Sequence, residues 1–80
     1  MKQMHKGFVL LNCDLGAEEY IVDELNHISS VKQAYVTFGA YDIIAEIDAE
    51  TQESFEETVS FKIRQLTRVV STMTLSVVNS

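Results

Sequence analysis

The chain has 80 residues, of which six are Lys or Arg and twelve are Asp or Glu, giving a formal net charge of −6, and 46% of them are hydrophobic. This apolar content excludes a wholly disordered chain, and the length predicts a single domain over residues 1–80, near the lower limit for a self-sufficient core. Such small domains often gain stability by forming oligomers. The acidic balance argues against direct binding to nucleic acid, which depends on clustered Lys and Arg.

Cysteine usage and hydropathy restrict where the protein works. Cys13 is the single cysteine in the chain, which excludes an internal disulfide and is typical of a reducing compartment. The sequence has no recognisable leader segment and no apolar run near the roughly 20 residues that span a membrane. We therefore expect a cytoplasmic protein with no membrane partner.

Residue types that carry catalysis or bind metals are present but are not arranged for either task. The nearest approach to a metal-binding set is His5, Cys13, Asp14 and His27, and none of these has the close paired spacing of a zinc site. No Ser/His/Asp order, phosphate-binding loop or Cys-x-x-Cys is found. The sequence therefore predicts no enzyme, no metal site and no cofactor.

The first part of the chain has the pattern of a strand followed by a helix. After a tail at residues 1–6, residues 7–13 are apolar on both alternating faces, which predicts a central strand covered on both sides. Ile21, Leu25 and Ile28 then recur at the spacing of an amphipathic helix, predicted over residues 17–28.

Two further strands, predicted over residues 31–38 and 42–48, leave only a few residues for the reversal between them. Gly39 can adopt a positive φ, and Asp42 can accept hydrogen bonds from nearby backbone N–H groups, so the segment predicts a β-hairpin. Its corner exposes backbone donors together with a carboxylate, which suits a small zwitterionic ligand. The alternative interpretation is a turn with no ligand.

The second helix, predicted over residues 51–66, has the clearest pattern. Its apolar stripe comprises Phe55, Val59, Ile63 and Leu66. Thr51 and Ser54 both qualify as its N-cap, so the start is uncertain by one turn. In the last strand, predicted over residues 69–78, we expect the side that carries Met73, Leu75 and Val77 to face the helices.

The element order is β-α-β-β-α-β, which predicts an α+β, ferredoxin-like sandwich. Its four-stranded antiparallel sheet has both helices on one face and the first and third strands at its centre. The other sheet face must meet solvent or a partner. Because both alternating sides of the first strand are apolar, we expect that face to pack against the sheet of a second copy in a symmetric dimer.

Four fragments along the chain resemble one known family. They are Val31-x-x-Ala34, Val36-x-x-Gly39-x-Tyr41-Asp42-Ile43, Ile63-Arg64 and Thr72-x-Thr74-Leu75. In this order and spacing they resemble the ligand-sensing domain of the leucine-responsive/asparagine regulators (Lrp/AsnC), also called the regulation-of-amino-acid-metabolism (RAM) domain, over residues 7–78. That family has a β-α-β-β-α-β sandwich that dimerises as an α/β barrel, in agreement with the predicted order.

The resemblance implies an amino-acid effector and homodimers that assemble into higher oligomers, with effector sites between dimers. Carried over by position, the implied ligand-binding residues are Gly39, Ala40, Tyr41, Asp42, Thr72 and Thr74. Asp42 would hold the ammonium of the amino acid, while the corner backbone and the threonine hydroxyls would donate to its carboxylate. Tyr41 would form a wall of the pocket.

Two departures from the family pattern matter. Most members carry a DNA-binding helix-turn-helix ahead of this domain, and residues 1–6 are too short for one. The resemblance therefore implies a stand-alone module that modulates transcription or metabolism through partners, with full-length Lrp/AsnC-type regulators as candidates. Where the family often has Pro-Gly, this chain has Thr67-Arg68, and Arg68 is either a ligand contact or a surface charge.

Two other functions stay open on the sequence alone. One is a purely structural oligomerisation or partner-binding domain in which the corner is only a turn. The other is a cofactor-free enzyme of the dimeric α/β-barrel monooxygenase type, which has the same architecture. A shared architecture does not by itself imply a shared reaction. Its pocket would be lined by Asn12, Tyr35, Thr37 and Thr72.

Overall fold

The protein, described here by a computed structural model covering residues 4–78, has the predicted β-α-β-β-α-β order. Its strands are β1 (His5–Cys13), β2 (Val31–Val36), β3 (Ile43–Ala49) and β4 (Val69–Ser76). Its helices are α1 (Glu18–Asn26) and α2 (Gln52–Glu57), and α2 continues into a π-helical segment at Thr58–Ile63. The α+β class is confirmed, and β1 starts two residues earlier than predicted, at His5.

The four strands form one antiparallel sheet in the order β2-β3-β1-β4, so β1 and β3 are central as predicted. Val9 of β1 lies opposite Ala45 of β3 on one side and opposite Thr74 of β4 on the other. Since residues that lie directly opposite in paired strands point to the same face, this register assigns every β4 side chain near it to a face.

The core lies between the sheet and the two helices. Its buried residues are Val9, Leu11, Ala17, Ile21, Leu25, Val31, Ile43, Ala45, Ile47, Ala49, Phe55, Val59 and Ile63. The strand members alternate along β1 and β3, which is the pattern of a sheet with one face covered by helices. Full burial of a large aliphatic or aromatic side chain stabilises by about 1.5–3 kcal/mol, so this cluster is the main source of stability.

The start of α2 resolves the ambiguity between Thr51 and Ser54. The Oγ1 of Thr51 accepts a hydrogen bond from the Ser54 N–H at 2.9 Å, which makes Thr51 the N-cap. The predicted stripe is confirmed, since Phe55, Val59 and Ile63 are buried and Leu66 packs on the edge of the core. The single predicted helix is, however, α-helical only over its first six residues and π-helical over the next six.

The predicted orientation of β4 is wrong. Met73 lies opposite Leu10 and Leu75 lies opposite Phe8, whereas Thr72 and Thr74 lie opposite the buried Leu11 and Val9. Met73 and Leu75 therefore point away from the helices, and the two threonines point to the helix side. The helices pack mainly over β1, β2 and β3, so most of the inner side of the edge strand β4 is left exposed and need not be apolar.

The sheet face turned away from the helices has an apolar patch, as predicted, beside the charged side chains of Lys6, Glu46 and Asp48. We call it the open face; its apolar members are Phe8, Leu10, Tyr35, Ile44, Met73 and Leu75. Tyr35, Met73 and Leu75 are each about half exposed, at 48%, 48% and 50%. Exposed apolar patches on small domains are often sites of contact with another surface.

Candidate ligand-binding site

The candidate site is built around the corner that joins β2 to β3. The Thr37 N–H donates to the Asp42 carbonyl at 2.8 Å, and the Thr37 Oγ1 donates to the Tyr41 carbonyl at 2.7 Å. Gly39 has a φ of 152°, which L side chains rarely adopt, so the reversal requires a glycine at this position. These contacts fix the shape of the corner and place Asp42 at its base.

Asp42 is tied to the end of β1 by two hydrogen bonds. Its N–H donates to the Leu11 carbonyl at 2.9 Å, and its Oδ2 accepts from the Cys13 N–H at 3.0 Å. Because a carboxylate offers about four acceptor positions, this contact orients Asp42 and leaves capacity for a further donor. The prediction that Asp42 bonds nearby backbone N–H groups is confirmed, with Cys13 as the partner.

The electrostatic environment of the corner is negative. The pKa of the Cys13 thiol is raised above its ordinary value, mainly by burial and then by the charges of Asp42, Glu18 and Asp14, while Arg68 acts in the opposite direction. Arg68 pairs with Asp14, so three carboxylates face one guanidinium, and the net negative charge favours a cation over an anion. The corner is therefore suited to an ammonium group.

The remaining corner residues occupy different positions relative to the sheet. Gly39 and Ala40 are exposed at the tip, next to a fully exposed Phe38. Tyr41 is half-buried, and its hydroxyl donates to the Met73 Sδ at 3.6 Å. Since Met73 belongs to the open face, Tyr41 links the corner to β4 on that side of the sheet.

Thr72 and Thr74 are not brought to the corner within one subunit. They point to the helix side of β4, and β1 lies between β4 and the strand that Asp42 precedes. With neighbouring strands about 4.8 Å apart, two strand spacings put Thr72 roughly 10 Å from the corner. Thr72 instead contributes to a groove of about 330 Å³ beside the end of the π-helical segment, where Arg64, Val69, Val70 and Ser71 are the other lining residues.

Arg68 has a structural role in this chain. Its φ is 71°, the left-handed conformation that glycine adopts most easily, so Arg68 takes the backbone shape that a Pro-Gly turn would supply. The Arg68 Nε lies 3.6 Å from the Asp14 Oδ2, and its Nη2 donates to the Leu15 carbonyl at 3.5 Å. These contacts favour the surface-charge interpretation over ligand contact.

Sequence reasoning missed three residues that shape the site. Cys13 orients Asp42 through its N–H, Thr37 closes the corner, and Met73 receives the Tyr41 hydroxyl. A threonine just before a glycine corner is a recognisable turn signal. The other two contacts depend on strand register across the sheet and have no local signal.

Metal-binding clusters and membrane-spanning helices are both absent from residues 4–78. Within this range no group of three or more His, Cys, Asp or Glu is arranged to hold a metal ion. No helix there is both long and apolar enough to cross a membrane.

Comparison with known proteins identifies the class of this domain. A family model described as the Lrp/AsnC ligand binding domain matches residues 6–80, and the chain belongs to that family. Among solved structures, FFRP-DM1 is 28% identical with a TM-score of 0.89, over 94% of this chain and 100% of that one. The hypothetical protein PHS023 from Pyrococcus horikoshii is 27% identical with a TM-score of 0.89, over 96% of this chain and 93% of that one.

A more distant structure is that of the transcriptional regulator NMB0573 from Neisseria meningitidis in complex with L-Met. It is 13% identical with a TM-score of 0.82, and the match covers 94% of this chain but 50% of the regulator, so the likeness is one of fold. Comparison with curated protein sequences gives no match.

Proposed function

We propose that this domain binds a free amino acid at the corner between β2 and β3, and that it acts by assembling with further copies of itself or with longer regulators of the same family. The observation that carries the proposal is the Asp42 carboxylate, oriented by the Cys13 N–H in a negative environment, in a chain of a ligand-binding family. The complex of NMB0573 with L-Met supports an amino acid as the class of effector.

The chemistry assigned to each residue follows from its type. The effector ammonium donates to Asp42 through a charge-assisted hydrogen bond, and Tyr41 forms a wall of the pocket. Gly39 and Ala40 contribute backbone at the exposed tip. Thr72 and Thr74 supply hydroxyl donors from β4, and because they lie away from the corner of their own subunit, we assign them to the corner of a neighbouring one.

The first test is a thermal-shift screen against the twenty amino acids at millimolar concentration. An effector present at about 100 times its Kd stabilises the folded state by roughly 2.7 kcal/mol, which raises the melting temperature by on the order of 10 °C. A selective rise supports the proposal and names the effector. A flat response to all twenty contradicts it.

A second test separates sensing from a structural role for the corner. In Asp42→Asn the amide oxygen can still accept from the Cys13 N–H, but the negative charge is lost. We expect the ligand response to disappear while the melting temperature without ligand stays close to that of the parent protein. Asp23→Asn, which removes an exposed charge from α1, is the matched control. If Asp42→Asn destabilises the fold while the remaining folded protein is still stabilised by the effector, the corner is only a turn.

We further propose that the open face forms the homodimer interface, since it is the apolar side of the sheet that the helices leave uncovered. Leu75→Lys places a charge on the open face at a position that is half exposed in the subunit, so it should leave the fold intact and reduce the molar mass in light scattering to that of a monomer. Phe61→Lys, at a residue 68% exposed on the helix side, is the control and should keep the dimer. The opposite result would move the interface to the helices.

The enzyme alternative is not favoured by the arrangement of its pocket residues. Asn12 bonds Ser71 and Tyr35 bonds Gln33, both on the open side of the sheet, while Thr72 points to the helix side. Thr72 is therefore separated from Asn12 and Tyr35 by the sheet within one subunit. The match covers FFRP-DM1 and PHS023 over 100% and 93% of their lengths, so each of these two solved chains consists almost entirely of this domain.

A further inference from the structure

We infer that the groove between the end of the π-helical segment and β4 binds a short monocarboxylate that carries no ammonium group, within one subunit and independently of the corner. The groove has a volume of about 330 Å³, and its lining residues are Arg64, Val69, Val70, Ser71 and Thr72. Arg64 is the charged member of this set, and two of its five members are valines. A ligand with one negative charge and an apolar tail matches such a lining.

The guanidinium of Arg64 is free to bind a ligand. The side chain is exposed and makes neither a hydrogen bond nor an ion pair within residues 4–78. By contrast, the guanidinium of Arg68, four residues along the chain, pairs with Asp14. A guanidinium presents paired N–H donors whose fixed geometry fits both oxygens of one carboxylate, so Arg64 can hold that group by two hydrogen bonds.

The backbone N–H of Thr72 is a second donor on the groove. The Leu11 carbonyl accepts from the Asp42 N–H, so the backbone groups of Leu11 point to the β3 side. Thr72 lies opposite Leu11 in the ladder between β1 and β4, and pairs that exchange hydrogen bonds alternate in an antiparallel ladder with pairs that do not. The Thr72 N–H therefore points away from β1. Among residues 4–78 no strand lies beyond β4, so this donor is left to the groove.

The same alternation is visible further along the ladder. The Lys6 carbonyl, an odd number of residues before Leu11, accepts from the Val77 N–H and so faces β4. Met73 lies opposite Leu10, and its N–H is accordingly directed to β1. Neighbouring residues of β4 thus differ in the direction of their backbone donors, which gives the groove a specific N–H and the experiment below an internal reference.

The lining selects against an ammonium group on the ligand. None of the five residues that line the groove is acidic, so an ammonium next to the bound carboxylate would find no counter-charge and would lie close to the guanidinium. The apolar tail has suitable partners, since Val70 is 66% exposed and Val69 packs at the edge of the core. The groove therefore favours a carboxylate whose remaining atoms are apolar, whereas the corner favours a cation.

Without Arg64 the position would disfavour an anion. Arg64 is the C-cap of the π-helical segment, and the free carbonyls of a last helical turn carry partial negative charge. The whole chain adds to this effect with a net charge of −6. Binding of a carboxylate should accordingly depend on this one side chain, which makes its substitution a decisive test.

The test is a nuclear magnetic resonance titration of the isotope-labelled protein at low ionic strength with three related probes. They are 3-methylbutanoate, its neutral analogue 3-methylbutanamide, and valine, which is the same acid with an added ammonium. We expect 3-methylbutanoate to shift the Thr72 amide resonance while the Met73 amide moves little. Charge-assisted hydrogen bonds contribute enough for a preference of about tenfold for the acid over the amide, and valine should be weaker by a similar factor at this resonance.

Three variants make the result specific to the guanidinium. Arg64→Gln should weaken 3-methylbutanoate by about tenfold or more and abolish the preference over the amide. Arg64→Lys keeps the charge without the paired donors, so it should keep the preference at reduced affinity, and it serves if Arg64→Gln does not fold. Lys62→Gln removes another exposed cation of the same helical segment, outside the groove, and should change the affinity by less than about twofold because screened surface charges contribute little.

Each remaining outcome contradicts the inference. Equal affinity of the parent protein and Arg64→Gln for 3-methylbutanoate would place the carboxylate elsewhere. A Thr72 response to valine or to inorganic phosphate as strong as the response to 3-methylbutanoate would show a general anion site without the proposed selection. Because these titrations are read at Thr72 and the corner is tested by the amino-acid screen, amino-acid sensing can stand or fail separately.

Discussion

Gly7 on β1 is the position where a single added methyl group should have the largest effect. A Cβ built there would lie 2.4 Å from the Phe55 Cζ and 2.6 Å from both the Phe55 Cε2 and the Leu75 carbonyl oxygen. Non-bonded carbon atoms prefer separations of about 3.5–4.0 Å. The added atom would therefore overlap a core aromatic ring on one side and the backbone of β4 on the other.

Neither neighbour can move without cost. The Phe55 ring is 3% exposed and packs in the core, so its displacement would disturb the cluster around it. The Leu75 carbonyl belongs to the ladder that joins β1 to β4, and its displacement would disturb that pairing. Overpacking of this kind costs about 1–3 kcal/mol, while the loss of glycine freedom in the unfolded chain returns about 0.4–1 kcal/mol.

We therefore expect Gly7→Ala to lower the free energy of unfolding by about 1–2 kcal/mol, and the melting temperature by roughly 5–15 °C. Urea denaturation followed by circular dichroism, at one protein concentration for all variants, measures the change. Phe55→Leu removes the ring, so Gly7→Ala should cost less in that background than alone, with the remainder due to the Leu75 carbonyl. A Gly7→Ala protein within about 0.5 kcal/mol of the parent would refute the steric argument.

Four further predictions concern residues at the ends of helices and strands. In an Asp14→Asn background, which removes the ion pair, Arg68→Gly should stabilise by about 1 kcal/mol because glycine adopts the φ of 71° without strain; destabilisation in denaturant melts would contradict this. Thr51→Ala removes the N-cap of α2 and should cost about 1 kcal/mol, whereas Thr51→Ser should cost much less. The raised pKa of Cys13 protects the thiol, so Asp42→Asn should lower that pKa and speed alkylation by iodoacetamide at pH 8; an unchanged rate would show that burial alone sets reactivity. Because folding raises the pKa of the Cys13 thiol, its contribution to the free energy of unfolding is complete below the ordinary pKa of 9.0. That contribution should fall as the pH rises through the higher folded-state pKa, and thermal denaturation measured across this pH range checks it.

The sequence was sufficient for the architecture because its strongest signals are local. The alternation along β1 and β3 and the stripe of Phe55, Val59 and Ile63 each specify one buried face, and the order of elements then leaves few topologies. The hairpin was equally readable, since Gly39 has a chemical reason to be at the turn.

The orientation of β4 could not be obtained in this way. Both of its alternating sets contain apolar residues, and the sequence predicts that the more apolar set, with Met73 and Leu75, faces the core. Which set faces inward depends on the pairing register with β1, where Leu10 lies opposite Met73, and that register has no local signature. The contacts of Cys13 and Met73 with the corner were unpredictable for the same reason, because they join residues that only the sheet brings together.

The π-helical segment gives the spacing of the second helix a geometric meaning. Phe55, Val59 and Ile63 repeat at intervals of four, and in a regular α-helix each such step advances by about 40° beyond a full turn, so a long repeat of four winds away from the core. The wider turn over Thr58–Ile63 falls short of a full turn in four residues and reverses this drift. The change of helix type thus returns the Ile63 side chain to the same side of the helix as Phe55. Deleting one residue inside the segment would rotate all the following residues about the helix axis.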